Sequence, residues 1–190
     1  YKGNVPLFKY SQLKPYIKDM KNGVRKVLFN YPLKWWVKSS GTTGAPKLYP
    51  LSEKRLFTDK ENVKKIFYYA ISKNPKVLRG KFLFFAAPAR VDEINGIPVG
   101  YISGVIATTQ NRFIQKFFVP SPDVLNIENA ELKYNLTLKV IEKKRITAMI
   151  GVTPFLVSLL QRASEKGMLK NIRENLEIIV WSGVSFTPYK

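Results

Sequence analysis

Short runs of consecutive apolar residues, separated by longer stretches with helical periodicity, restrict this chain to a layered α/β fold. The run KFLFFAAP at 81–88 has apolar side chains at successive positions, which predicts a strand buried on both faces. Runs of the same kind occur at 146–151 and 176–181. Helices of about 15 to 20 residues are predicted between such strands. The expected fold class is therefore α/β, with layers of sheet and helix packed together.

Capping residues predict where the helices begin. Ser11 is the predicted N-cap of a first short helix, and Ser52 is that of a helix over 53–73. A further helix is predicted over 128–144, and Thr153 is the predicted cap of the last long one. Helical spacing assigns these apolar residues to the buried faces of the helices at 53–73 and 128–144: Leu56, Val63, Ile66, Phe67, Tyr69, Ala70 and Ile71, then Leu132, Leu136, Leu138, Val140 and Ile141.

The stretch SSGTTGAPK at 39–47 concentrates hydroxyls, two glycines and one ammonium between two predicted strands at 34–38 and 48–51. Glycine reaches conformations that let successive N–H groups turn toward an anion, and hydroxyls add donors. Lys47 adds a mobile positive charge. By composition alone, such a run is also compatible with a flexible loop. We interpret it as a phosphate-binding loop whose binding residues are Ser39, Ser40, Gly41, Thr42, Thr43, Gly44 and Lys47.

The loop does not have the spacing of P-loop NTPases, in which four residues separate the first glycine from a Gly-Lys-Ser/Thr ending. At all of its positions it resembles the phosphate loop of the adenylate-forming superfamily, which includes acyl-CoA ligases, peptide-synthetase adenylation domains, luciferases and the auxin-conjugating GH3 enzymes of plants. The sequence LKPYI at 13–17 is similar to the segment that precedes this loop in GH3 enzymes. The resemblance implies that residues 1–190 are an incomplete part of the large N-terminal adenylation domain, without the C-terminal domain.

Two further regions resemble parts of that domain. Residues 95–104 are similar to the region that helps to line the acyl pocket, and the candidates for this pocket are Tyr101, Ser103, Thr153 and Phe155. Ser182, Gly183 and Val184 would lie beside the adenine, but the family often has two glycines there and Ser182 departs from that pattern. Two alternatives stay open: residues 95–104 are only a flexible turn cluster, and Phe84, Phe85, Tyr101 and Phe155 belong to the core.

The resemblance also implies a reaction. A small carboxylic acid would be activated with ATP and Mg²⁺ as an acyl-adenylate, and the acyl group would pass to an amine such as an amino acid, or to CoA. The family motifs that supply the magnesium-binding Glu, the ribose-binding Asp and the catalytic Lys are not found in residues 1–190. We therefore expect the activity in a longer parent protein and none in this chain alone, to which we assign no catalytic residue and no metal ligand.

Composition limits the alternatives. The chain has no Cys and no His, which excludes disulfides, thiol nucleophiles, His-based triads and the usual zinc sites. Its 32 Lys and Arg against 13 Asp and Glu give a net charge of +19, so a nucleic-acid-binding module is the rival interpretation. Non-specific binding of polyanions at low salt is expected in either case. A third alternative is a non-catalytic domain that has kept only nucleotide binding.

The cellular location is predicted from two features that are not found in the sequence, a membrane span and a signal peptide. No apolar run approaches the roughly 20 residues that a membrane span needs, and residues 1–4 do not resemble a signal peptide. These features predict a cytoplasmic protein without a membrane span. The absence of Cys together with abundant Lys and Ile is compatible with a thermophilic source.

Overall fold

The computed structural model describes residues 8–39 and 46–182, with Ser182 described by its backbone alone, and these ranges contain eight strands and eight α-helices. The strands are β1 (Leu33–Lys38), β2 (Leu48–Ser52), β3 (Lys81–Phe85), β4 (Asp92–Ile94), β5 (Ile97–Tyr101), β6 (Phe118–Val119), β7 (Ile146–Val152) and β8 (Ile178–Ser182). The helices are α1 (Tyr10–Lys21), α2 (Glu53–Lys73), α3 (Ile102–Thr108), α4 (Arg112–Gln115), α5 (Pro122–Leu125), α6 (Ala130–Lys143), α7 (Thr153–Glu165) and α8 (Leu169–Asn175), and a 3₁₀ turn covers Pro75–Arg79. No helix within these ranges is long and apolar enough to cross a membrane.

Four strands form a wholly parallel sheet in the order β6-β3-β7-β8. Alternate residues of β3 belong to different cores, because Phe82 and Phe84 pack on one face of the sheet while Leu83 and Phe85 pack on the other. All four side chains are buried. The expected α/β class and the strand buried on both faces are thus confirmed, and the core role predicted for Phe84 and Phe85 is confirmed with them.

Helices α6, α7 and α8 cover one face of the parallel sheet. They contribute Leu138, Leu156, Leu159 and Ile172 to a core that also contains Leu83 and Phe85 of β3. The buried stripe of α6 differs from the predicted one, because it runs through Tyr134, Leu138 and Ile141, whereas Leu132 lies 50% exposed. The prediction is wrong for Leu132, since a helix has several possible apolar stripes and the position of the sheet selects one of them.

Helix α2 lies on the other face, and its bounds and its Ser52 cap are as predicted. The Ser52 hydroxyl accepts a hydrogen bond from the Arg55 N–H at 3.2 Å. Phe67 stacks on Phe82 with ring centroids 5.1 Å apart. The predicted apolar face is only partly used, because Ile66 and Tyr69 are exposed and α2 buries none of its residues fully. Helix α2 therefore covers the sheet mainly through Phe67.

The remaining four strands form a mixed sheet in the order β2-β1-β5-β4, in which β1 runs parallel to β5. The alternative that 95–104 is a flexible turn cluster is wrong, because β4 and β5 form a hairpin and α3 follows directly. The turn of this hairpin is Asn95-Gly96, with φ values of 50° and 75°. Asn-Gly at two positive φ values is the sequence signal for a two-residue hairpin turn. Trp36 and Val99 are fully buried where this sheet packs on α1.

Two predicted N-caps are displaced, by two residues in α1 and by one residue in α7. Helix α1 begins at Tyr10 rather than after Ser11, and the Lys9 N–H donates to Gln12 Oε1 at 2.7 Å. Helix α7 has Val152 at the cap position, so Thr153 is its first helical residue. In both helices the residue with the hydroxyl lies within the first turn and not at the N-cap position.

Leu138→Ala tests the packing of α6 on the parallel sheet. Removing this side chain, which is 1% exposed, is expected to lower the free energy of unfolding by about 2 to 5 kcal/mol because it leaves a cavity. Leu132→Ala is the matched control on the same helix, and it is expected to cost less than about 1 kcal/mol. Chemical denaturation of both variants measures the difference, and equal losses would contradict the assigned face.

Candidate functional site

The two ends of the predicted phosphate loop are held together by the hairpin of β1 and β2. The Ser39 N–H donates to Lys47 O at 2.9 Å, and the Lys47 N–H donates to Ser39 Oγ at 2.9 Å. The first of these hydrogen bonds continues the antiparallel ladder beyond Lys38 and Leu48, and the second adds a side-chain contact at the same point. Ser39 and Lys47 are therefore held side by side at the end of the hairpin. Ser40, Gly41, Thr42, Thr43 and Gly44 lie outside the described residues.

Tyr10 of α1 fixes the base of this loop. Its hydroxyl donates to Leu48 O and accepts from the Leu48 N–H, both at 3.0 Å. Its ring packs edge-on against Tyr49 with centroids 5.2 Å apart. The Lys47 Nζ lies 5.5 Å from the centroid of the same ring. Lys47 is exposed, and its ammonium lies within reach of a cation–π contact with the Tyr10 ring.

The acyl-pocket candidates Tyr101 and Ser103 lie beside the start of the loop. In the parallel pairing of β1 with β5, Tyr101 is the partner of Lys38, the residue before Ser39. Ser103 follows in the first turn of α3, and both Tyr101 and Ser103 are half-buried. Because the carboxyl ends of parallel strands meet at one edge, these residues and the loop share that edge of the mixed sheet.

Residues 86–89, which we call the crossing segment, connect this edge with the end of β3. The Tyr101 N–H donates to Pro88 O at 3.1 Å. Gly100 and Gly104 touch the crossing segment so closely that a Cβ on either would overlap the carbonyl oxygen of Ala89 or Ala87. The glycines are required here because only backbone without a side chain permits this approach. The end of β3 is thereby fixed against the first turn of α3.

The remaining candidates lie at the carboxyl ends of β7 and β8. Ser182 is the register partner of Val152, the residue before Thr153, so the adenine-side and acyl-side candidates are neighbours across the parallel sheet. Thr153 is fully buried, whereas Phe155 is 39% exposed and so is not a core residue. Gly183 and Val184 lie outside the described residues. Open α/β sheets bind ligands outside the carboxyl ends of their strands, which is where these residues lie.

Lys133 of α6 is a buried cation at the same edge. It is 5% exposed, and its Nζ donates to Ala86 O and to Leu125 O, both at 2.6 Å. The Nζ also lies 5.6 Å from the centroid of the Phe85 ring. The ion pairs among the described residues do not include Lys133. Burial therefore lowers the pKa of Lys133 to about 8.

A cavity of about 560 Å³ lies elsewhere, at the opposite end of the mixed sheet. It is lined by Met20, Phe29, Tyr31, Leu33, Trp36 and Ile97, among others, and by none of the predicted site residues. Within the described ranges, no group of three or more acidic, His or Cys residues is placed to hold a metal ion. The described candidates therefore lie along the carboxyl ends of the strands and not in this cavity.

The fold and this edge define a class: a layered α/β domain whose candidate ligand site lies at the carboxyl ends of parallel strands. The chain belongs to the GH3 family, because the family model described as "GH3 family N-terminal domain" matches residues 1–174. The expected membership in the adenylate-forming superfamily, with GH3-like character, is thereby confirmed.

Solved structures support the same fold. The chain is similar to "GH3.15 acyl acid amido synthetase", with a TM-score of 0.66 at 20% identity, and to "AtGH3.15 acyl acid amido synthetase in complex with 2,4-DB", with a TM-score of 0.63 at 20% identity. Each match covers 91% of this chain and 32% of the other, so the chain spans about a third of these enzymes. No curated protein matches the chain.

The sequence analysis did not identify Tyr10 or Lys133, which bond to the backbone of Leu48 and of Ala86. Tyr10 gives no signal in the sequence, because its partner Leu48 is 38 residues away. Lys133 gives a weak one, since it is adjacent to Tyr134 on the stripe that continues to Leu138 and Ile141. A charge beside an apolar stripe is usually solvated, so the pattern alone favours the wrong interpretation.

Tyr10→Phe tests the anchoring of the loop. The change removes a hydroxyl that bonds both the N–H and the carbonyl of Leu48, and a loss of about 1 to 2 kcal/mol in the free energy of unfolding is expected. Tyr16→Phe, on an exposed position of the same helix, is the control and is expected to change stability by less than about 0.5 kcal/mol. Denaturation curves that shift equally for the two variants would contradict the anchor.

Proposed function

We propose that the parent protein activates a small carboxylic acid with ATP and transfers the acyl group to an amine, and that this chain supplies the phosphate loop and one wall of the acyl pocket. The observation that carries the proposal is the alignment of the candidates. Lys38, Tyr101, Val152 and Ser182 are joined by strand register and the crossing segment, although they are far apart in sequence. Family membership supports the same assignment.

The chemistry explains why these residue types are needed. An oxygen of the carboxylate attacks the α-phosphorus of ATP, the bond to the β-phosphate oxygen breaks, and pyrophosphate leaves. Because two anions must approach one another, catalysis depends on donors and cations that offset the negative charge. Ser39 and Lys47 close the loop that would receive the phosphates, and Lys47 is the residue we assign to the departing pyrophosphate. No described residue is assigned to Mg²⁺, so no step is ascribed to it here.

The acyl side of the edge is suited to an apolar or aryl acid. Tyr101 and Ser103 are half-buried, and Phe155 exposes part of its ring at the start of α7. Phe84 and Phe85 are excluded from this role because they are buried in the two cores of the parallel sheet. A solved enzyme of similar fold is an acyl acid amido synthetase in complex with 2,4-DB, which favours an amine over CoA as the acceptor.

The net charge of +19 supports one competing function, the binding of nucleic acid through many scattered cations. The two functions depend on different residues, since ATP binding needs Lys47 and polyanion binding needs no single lysine. A domain that binds nucleotide without catalysis would also depend on Lys47. Separating these three cases requires one binding experiment and one activity experiment.

Lys47→Ala is expected to weaken ATP binding by the 190-residue chain by about tenfold or more, because a charge-assisted contact to phosphate is lost. Isothermal titration at physiological salt measures this. Lys65→Ala removes an exposed lysine of α2 and is the matched control, with no expected change. If Lys47→Ala binds ATP as well as the unmodified chain does, the phosphate loop is wrongly assigned. Salt-sensitive binding of duplex DNA without binding of ATP would establish the competing function.

Pyrophosphate exchange into ATP tests whether this chain needs the rest of the parent protein for catalysis. The 190-residue chain is expected to give no exchange above background with any carboxylic acid, because the motif residues for magnesium, ribose and catalysis are not in it. A protein of the length of the similar solved enzymes is expected to give exchange with aryl or alkyl acids. Robust exchange by the 190-residue chain would refute this dependence.

A further inference from the structure

The buried ammonium of Lys133 makes hydrogen bonds that packing of its side chain in the core does not require. Its Nζ donates to the carbonyl of Ala86, at the exit of β3, and to that of Leu125, at the end of α5. Both acceptors are neutral, and the desolvation of the ammonium is not offset by a carboxylate among the described residues. An unpaired buried charge is disfavoured relative to an apolar side chain of the same length. Core packing alone therefore does not account for a lysine at this position.

Asn126 completes a clamp on the crossing segment. It follows Leu125 directly, and its side-chain Oδ1 accepts a hydrogen bond from the Ala89 N–H at 3.0 Å. Lys133 thus holds the first residue of the crossing segment, and Asn126 holds the last. Lys133 also donates to the carbonyl of Leu125, so the two contacts are coupled through the peptide bond that joins Leu125 to Asn126. We call Lys133 and Asn126 the α5–α6 clamp.

The clamp is connected to the candidate acyl pocket by backbone atoms that are in direct contact. The carbonyls of Ala87 and Ala89 touch Gly104 and Gly100, and Pro88 O accepts from the Tyr101 N–H. A shift of the crossing segment must therefore move β5 and the first turn of α3 with it, because close-packed backbone transmits displacement. Tyr101 ends β5 and Ser103 lies in the first turn of α3, so such a shift would displace both residues.

We propose that Lys133 and Asn126 are positioning residues that hold the crossing segment, and through it Tyr101 and Ser103, at the distance from the ends of β3 and β7 that the acyl-adenylate requires. This inference rests on the proposed function. The contacts of Lys133 given by the described residues do not include Ser39, Lys47 or Tyr10, so the clamp is expected to act more strongly on the acyl half of the site than on the phosphate half. Lowering of the pKa of Lys133 by burial does not weaken the clamp, because a neutral amine keeps two N–H donors for its two carbonyls.

Hydrogen exchange of backbone amides in the 190-residue chain tests the structural half. Lys133→Met has nearly the same length without donors, and Lys139→Met is the matched control on an exposed position of the same helix. Lys133→Met is expected to lower the protection of the Ala89 and Tyr101 amides by about tenfold, the equivalent of one charge-assisted hydrogen bond. Asn126→Ala, at an exposed position, supplies the same test without altering a buried charge if Lys133→Met fails to fold.

Ligand affinity tests the functional half with a readout that general destabilisation would not produce. The probes are a sulfamoyl-adenosine analogue carrying an arylalkanoyl group and inorganic pyrophosphate. Lys133→Met or Asn126→Ala is expected to lose about tenfold in affinity for the analogue and less than about twofold for pyrophosphate. Lys47→Ala is expected to show the opposite preference.

The outcomes separate the two ideas. Reduced protection at Ala89 and Tyr101 with a selective loss of analogue binding supports the clamp as a positioning device. Unchanged protection in both clamp variants, or equal losses for the two probes, overturns it. If the unmodified chain binds neither probe, the assignment of the phosphate loop and the acyl wall to this chain fails, and so does the part of this inference that concerns the adenylate. The exchange data still decide whether the clamp holds the crossing segment.

Discussion

The close backbone contact between the crossing segment and the strand–helix unit of β5 and α3 is the constraint on which the site depends. Two separate sheets carry the candidate residues, and each sheet has its own cores. Gly100 and Gly104 let residues 86–89 pack directly against β5 and α3. Because this contact is made by backbone, it fixes the relative position of the two strand edges more rigidly than side-chain packing would.

Local sequence signals were enough to predict the elements that this contact joins. The apolar run of β3, the bounds and cap of α2, and the strands on either side of the phosphate loop were all predicted, because each depends on neighbours in sequence. Errors occurred where tertiary packing decides. Leu132 and Tyr69 fit an apolar helical face but are exposed, since the sheet lies against a different stripe in each helix.

The candidate site was predicted less completely, for a physical reason. Residue type can indicate that a loop suits phosphate, but it cannot show which residue supports the loop. Tyr10 meets Leu48 and Lys133 meets Ala86 only after the chain has folded, and both partners are backbone groups with no sequence signature. The assignments of Ser40–Gly44 and of Gly183 and Val184 remain predictions from resemblance, because these residues lie outside the described ranges.

The large positive charge of the chain does not by itself select one anionic ligand over another. A field from many scattered lysines attracts ATP, pyrophosphate and nucleic acid alike, and it weakens as salt is added. Discrimination must come from cations whose positions are fixed relative to one another. Lys47 is placed beside the loop by the Tyr10 ring, and Lys133 is fixed by two carbonyls beneath the strand ends. Under the proposed function, Lys47 would contact the ligand and Lys133 would hold the backbone beside it, while the general charge would only speed the encounter.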